Sequence, residues 1–390
     1  MRRAFPLVLF ALSACGDSET SPTDGGSDAP SPLDAAVDAS PKDATADTSP
    51  APDASTPKPL FVLVGSGDGK IRVFSVAEPS GALTPMGTAS PGGSPSFLAM
   101  DPATKKVYAV DEANDQVRAF TFDPKAGSLT DLGTPVASGG GGPTHVSIDA
   151  TGKLVLVANY GGGTASVFPI LGTGALGPAS DTKAPGKNAH LAITSPSGGW
   201  AFVPCLGSNL IAQYKLDANE KLTANGTVSP PANAGPRHLA FRPDEKFAYG
   251  INELASTVTT YAYDGTSGKL TAQATLSSLP ANYAGQNTGA EIVVHPSGAF
   301  VYGSNRGHDS IVAFASDKNT GALSLVGHVS TGGKTPRSFA LDPDAKLLFA
   351  ANQASGTVAA FTIGSNGLPV ASGSPVAIPS PTFVGAWRVP

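Results

Sequence analysis

Along residues 60–390, short apolar runs recur, each cut off by Gly, Pro, Asn or Asp. Runs such as Lys106-Val107-Tyr108-Ala109-Val110 and Lys246-Phe247-Ala248-Tyr249-Gly250 are nearly continuous, whereas Val258-Thr259-Thr260-Tyr261-Ala262-Tyr263 alternates. Both patterns predict strands. A Leu closing a Gly-x-Leu-like turn returns at Leu83, Leu129, Leu176, Leu222, Leu270, Leu323 and Leu368, at steps of 45 to 53 residues. Between these tags come an apolar triplet (near Phe97, Val146, Leu191, Leu239, Ile292 and Phe339), a turn, a second apolar run, a polar loop, an alternating third run and a weaker fourth. Four short strands per unit of this length predict a β-propeller blade.

The count closes only as a ring. Seven Leu tags accompany six internal first strands, and the chain enters at Phe61-Val62-Leu63-Val64, which matches a second strand. Its end, Pro381-Thr382-Phe383-Val384-Gly385-Ala386-Trp387, matches the first strands that begin Pro95-Ser96-Phe97-Leu98. The expectation is an all-β, seven-bladed β-propeller whose N-terminal blade is completed by the C-terminal strand, leaving no seam of unpaired edges. Such a ring is expected as a monomer.

Composition agrees with many turns and few helices. The chain has 46 Gly and 35 Pro among 390 residues and only 14% charged residues. Each Gly or Pro inside a helix would cost ~1 or ~3 kcal/mol, which excludes bundles and helical solenoids.

The first 59 residues read differently. Arg2 and Arg3 precede an apolar run, Phe5 to Ala11, too short to span a bilayer. Leu12-Ser13-Ala14-Cys15 then resembles a bacterial lipobox, so residues 1–15 are expected to be a lipoprotein signal with Cys15 acylated. Gly16 after it resembles outer-membrane rather than inner-membrane sorting. Residues 16–59 hold nine acidic residues, two lysines and no aromatic, a composition expected to stay disordered. Removing this segment and the two N-terminal arginines leaves residues 60–390 formally neutral, which argues against nucleic acid as a partner. The expected place is the cell envelope, with the membrane contacted by the lipid anchor only. Cys205 is then the one remaining thiol, and no disulfide is possible.

Chemistry is expected where loops face the channel: before each first strand and after each second strand. Those slots hold Thr144-His145, Asn188-Ala189-His190, Pro236-Arg237-His238, Ala290-Glu291 and Pro336-Arg337, then Asp111-Glu112, Asn159-Tyr160, Cys205-Leu206-Gly207, Asn252-Glu253-Leu254, Asn305-Arg306-Gly307-His308-Asp309 and Asn352-Gln353. Four of six histidines fall there, in a chain poor in charge. His295 and His328 read as structural, as do Asp101, Asp149 and Asp342 in the turns after first strands. Arg237 and Arg306 resist that reading, because a buried guanidinium requires an anion. No G-x-S-x-G elbow and no helical zinc spacing is present.

The segments Gly235-Pro236-Arg237-His238, Ile251-Asn252-Glu253-Leu254, Ala290-Glu291-Ile292, His295-Pro296-Ser297-Gly298, Ser304 to Ser310 and Gly332 to Arg337 resemble the lactonase family of seven-bladed propellers, which includes 6-phosphogluconolactonases and fungal carboxymuconate cyclase. The resemblance implies a catalytic set of His190, Arg237, Glu253 and Arg306, without metal or cofactor. It implies a small anionic lactone or sugar acid as the partner, hydrolysed or isomerised. Arg337, His238, Asn305, His308, Asn252 and His145 are expected to bind substrate. Glu253 or a His190 near its ordinary pKa of about 6.5 would take a proton from water. Two positions depart from the family's acids, Cys205 and Asn209, and are expected on the channel rim. The competing expectation is a non-catalytic surface propeller that binds a partner protein or envelope carbohydrate. In that case Cys205 and Asn209 would narrow the channel mouth, or the arginines and Glu253 would lie apart.

Overall fold

The computed structural model describes residues 58–390, so the expected signal peptide, Cys15 and nearly all of the acidic linker lie outside the described residues. Seven antiparallel sheets follow one another along the chain. The first blade orders its strands 381–388, 60–66, 70–77 and 82–89 from the channel outwards. The closing strand pairs with the entering one from Leu60↔Arg388 to Ser66↔Pro381. Arg388 reinforces that seam. Its guanidinium reaches Glu78 of the first blade at 2.6 Å and Asp344 of the seventh at 2.5 Å. Those two acids and Asp342 converge there around a cation of the chain's own.

No single core exists. Seven apolar clusters each join two neighbouring blades, for example Leu156, Val167, Val203 and Tyr214 between the third and fourth, or Tyr249, Ile251, Val301 and Phe314 between the fifth and sixth. Each inner sheet region is therefore covered on both faces. This explains why second strands such as Leu154–Asn159 and Phe247–Asn252 are buried at every position and read as unbroken apolar runs. Buried side chains of this kind contribute ~1.5–3 kcal/mol each. The Leu tags open the outermost strands: Leu222, Leu270 and Leu323 are buried under the neighbouring blade's edge.

The fourth blade departs from the pattern. The first strand expected near Leu191 is only Ile193–Thr194. Pairing slips by one residue between the bridge Ala189↔Cys205 and the pair Ile193↔Phe202. Opposite the slip stands Pro204, which has no N–H to give the ladder but accepts from His190 N–H at 2.9 Å.

Candidate active site

The inner strands carry a shared irregularity at one end of the channel. In the third blade Asn159 pairs with Pro143 and Ala158 with His145, leaving Thr144 unpaired. The same step leaves Arg237 extra in the fifth blade, Arg337 in the seventh and Thr382 in the first. In the sixth, both Ala290 and Glu291 face Ser304 across the shift. A bulge re-aims side chains. Here it frees residues such as Thr144 and Arg337 from the ladder and turns them to the channel mouth.

The second strands supply the other wall through simple alternation. In six of the seven blades the second strand closes on a buried polar residue, Cys205 standing there in the fourth, and the next residue points the opposite way. Asn159, Asn252, Asn305 and Asn352 are fully buried, and their amides hold local loops. Asn252 donates to Thr257 and Thr259 at 2.9 Å, and Asn305 to the Ser278 carbonyl at 2.7 Å. The next residues, Glu112, Tyr160, Glu253 and Arg306, face the mouth. After Arg306 the chain turns at Gly307 (φ 134°), where a Cβ would stand 2.1 Å from the Gln286 carbonyl.

Together these residues enclose a cavity of about 210 Å³ lined by Glu112, Thr144, Tyr160, His190, Glu253, Arg306 and Arg337. Glu253 Oε2 lies 2.8 Å from Arg306 Nη2 and 3.1 Å from Arg237 Nε. The second contact is an ion pair without hydrogen-bond alignment, since Arg237 Nε has no aligned acceptor. Backbone carbonyls of the sixth blade orient both guanidiniums: Arg237 Nη1 donates to Ala290 O at 2.6 Å, and Arg306 Nη2 to Gly289 O at 3.1 Å. Burial, with Arg306 and Arg337 nearby, pulls Arg237 down to about 9. Arg337 is largely buried yet has no carboxylate or carbonyl partner among the described residues, and burial lowers its pKa too. Three cations thus face two lining carboxylates, a balance that favours an anionic guest.

Beneath the cavity three imidazoles pack together. The His238 ring lies 5.1 Å from that of His190 and 5.6 Å from that of His145, which in turn rests on Phe97 at 4.3 Å. His238 Nδ1 meets Glu291 Oε1 at 2.7 Å. Burial holds all three histidines well below their usual pKa, with charge on neighbouring residues such as Arg237 adding to the effect. Burial pushes Glu291 up to about 7.

The structure therefore revises several expectations. His190, Glu253, Arg306 and Arg337 line the cavity. Arg237 touches Glu253 from below, and His145 and His238 form the floor. Asn252 and Asn305 turn inward instead, because a buried amide requires local partners. His308 lies away from the cavity, its ring against Tyr283 (4.9 Å) and its Nδ1 2.7 Å from Ser310 Oγ. His190 is not a base of ordinary pKa. Cys205 is buried in the core between blades, its thiol pushed up to about 12 by burial. Asn209 bridges to the next blade's loop through Pro231 O and Gly235 N–H. Neither narrows the mouth. Glu112, Thr144 and Tyr160, from the same loop slots, also line the cavity, and Glu291 holds His238 beneath it.

A seven-bladed ring with arginines gathered around one carboxylate defines a polar, anion-accepting propeller site. Residues 61–386 match the family described as Lactonase, 7-bladed beta-propeller, and the chain belongs to that family. It is 34% identical over 309 residues to a 6-phosphogluconolactonase of Bacillus subtilis, covering 76% of this chain and 88% of that one. A Formosa agariphila protein of the same name is 33% identical, covering 75% and 87%. Among solved structures, the Pseudomonas aeruginosa periplasmic gluconolactonase superposes with a TM-score of 0.78 at 27% identity, covering 85% of this chain and 100% of that one.

Proposed function

We propose that the protein hydrolyses a small anionic, sugar-acid-like lactone. The observation that carries this reading is the convergence of Arg237 and Arg306 on Glu253 beside an unpartnered Arg337 in one cavity. Both guanidiniums approach Oε2, and Oε1 accepts no hydrogen bond among the described residues, so Oε1 is the atom placed to draw a proton from water. The attacking oxygen adds to the lactone carbonyl while Arg306 stabilises the oxyanion, a contribution of ~2–4 kcal/mol for a pre-organised donor, and the unpartnered Arg337 holds the substrate's anionic group. Collapse breaks the ring C–O bond, and the departing alkoxide takes the proton first drawn from water. His190, neutral at pH 7, offers a polar nitrogen at the cavity wall.

The relatives named above support a lactone substrate. Their names include a phosphorylated sugar lactone, and the Pseudomonas neighbour is a periplasmic gluconolactonase. The leader ending at Cys15 supports export with a lipid anchor in the envelope. The binding-only reading draws no support from the mouth, where Arg237 and Arg306 both lie within 3.1 Å of Glu253.

The test is turnover of anionic and neutral sugar lactones by the purified chain and by Glu253→Gln. Equal inactivity of both on every lactone sinks the enzyme reading. Mass spectrometry of the mature N-terminus decides acylation of Cys15.

A further inference from the structure

We propose that Glu291, acting through His238, positions the His190 ring at the cavity wall. This rests on the lactone-hydrolase reading only for its kinetic arm.

His190 has few restraints of its own. Its Nδ1 is buried and has no hydrogen-bond partner. Its ring packs edge to face against Tyr160 at 5.5 Å and His238 at 5.1 Å and makes no side-chain hydrogen bond among the described residues. The orientation of His190 thus depends on that of His238. His238 does have an anchor. Its Nδ1 meets the Glu291 carboxyl at 2.7 Å, whereas its Nε2 is buried without a partner. Glu291 is fixed in turn from its own blade: its N–H donates to Ser304 Oγ at 3.0 Å, and Oε1 also accepts Ile292 N–H at 3.1 Å. The chain of restraint runs from blade six through Glu291 and His238 to His190. Arg237 is tied in parallel, because its bond to Ala290 O joins the same two inner strands.

The anchor also carries a proton choice. As a carboxylate, Glu291 accepts Nδ1–H, and His238 Nε2 presents a lone pair. When Glu291 takes up one proton, it donates O–H to Nδ1 and His238 carries its hydrogen on Nε2. One proton gained by the pair converts Nε2 from acceptor to donor, with no other bond changed. Glu291 borders a second cavity, of about 410 Å³, lined mainly by apolar groups such as Phe339, Phe383 and Trp387 and shared with Asp342. Proton exchange therefore need not pass the substrate. The charged or titratable groups facing the pair are Arg237, Arg306, Arg337, His145 and His190.

Nitrogen-15 spectra of histidine-labelled protein from pH 5.5 to 8.5 test the proposal. In the wild type, His238 and His190 ring nitrogens are expected to shift together with one midpoint near neutrality. Glu291→Gln keeps a polar partner for Nδ1, so the His190 signal stays single and the pH step vanishes. Glu291→Leu removes the anchor; His190 signals broaden or double, and kcat falls at least tenfold with KM within about threefold. A His190 pH step unchanged in Glu291→Gln overturns the proposal, as does a Glu291→Leu kcat within twofold of wild type. If Glu291→Leu does not fold, the Gln spectra still decide. If the wild type turns over no lactone, the functional reading fails while the spectra still judge this one.

Discussion

Replacing Glu253 by Gln separates the electrostatic role of the site from its chemistry. The carboxylate neutralises two guanidiniums, and the Arg237 side chain is only 3% exposed. Solvent screens that pair little. Removing one partner of a buried ion pair costs ~3–5 kcal/mol, and a glutamine oxygen restores about 1 kcal/mol as a neutral hydrogen-bond acceptor. The net expectation is a loss of ~2–4 kcal/mol by these two magnitudes. Unfolding entropy near ~2.1 cal/mol/K per residue gives roughly 0.7 kcal/mol/K for a ring of this size, so Tm should fall by about 3–6 °C. Loss of the proton acceptor should lower kcat ~10²–10⁴-fold. KM for an anionic lactone should not rise, because removing the carboxylate's charge leaves the cavity beside Arg306 and Arg337 more attractive to an anion. A sugar acid should for the same reason raise the variant's Tm more than the wild type's. The assays are calorimetry with and without ligand, and initial rates on an anionic lactone. A variant with kcat within threefold of wild type, or with an unchanged Tm and no extra stabilisation by ligand, refutes this account of Glu253.

Arg337→Ala removes a cation that has no partner among the described residues, so Tm should hold or rise, while KM for anionic lactones rises ~10–100-fold from loss of a charged contact worth ~1.5–3 kcal/mol. Neutral lactones should show little change in the same assay. Glu291 has a folded pKa of about 7, above the ordinary 4.5, so the folded chain holds a proton that the unfolded chain has lost between those values. Its stability contribution is full below pH 4.5 and is lost as pH rises through about 7. Glu291→Gln stays neutral throughout, so its Tm relative to wild type should climb from pH 6 to 8; a flat difference refutes the raised pKa. The native chain should not react with a maleimide at Cys205, which is buried with its thiol pushed up to about 12. After denaturation one thiol should react if Cys15 is acylated, and two if it is not. Gly385→Val should destabilise the closing strand, since a Cβ there would stand 2.1 Å from the Trp387 ring, and the loss should appear as a lower Tm with increased light scattering.

The propeller was legible because its physics repeats. Turns recur every 45 to 53 residues, and every second strand is buried on both faces, so the chain writes the same apolar run again and again. Closure was legible for a related reason. Strand 381–388 has the pattern of an inner strand, and the entering strand 60–66 otherwise lacks one. The slots that hold the site were legible too, because loops at one end of a ring must share a mouth. What failed was direction within a slot. Neighbours at a strand end point opposite ways, so of Asn252 and Glu253 only one can face the channel. The same rule sends Asn305 inward and Arg306 outward. His308 was misplaced by Gly307, whose turn carries the chain away from the cavity.

Glu291 shows a different limit. Alternation alone would treat Arg237 and His238 as opposed, yet both serve the channel end, Arg237 at Glu253 and His238 in the floor. The bulge at Arg237 makes this possible, and the matching shift at Ala290-Glu291 sets the sixth blade's strand to meet it. A Pro precedes the extra residue in four of the five bulges (Pro143, Pro236, Pro336 and Pro381), but proline marks many other turns of this chain as well. Two blades must be placed side by side before a lone acid on one is seen to answer a histidine on the other. The family-type residues at the mouth could be read one repeat at a time. The pair beneath them exists only between repeats, which is why it became visible with the ring and not before.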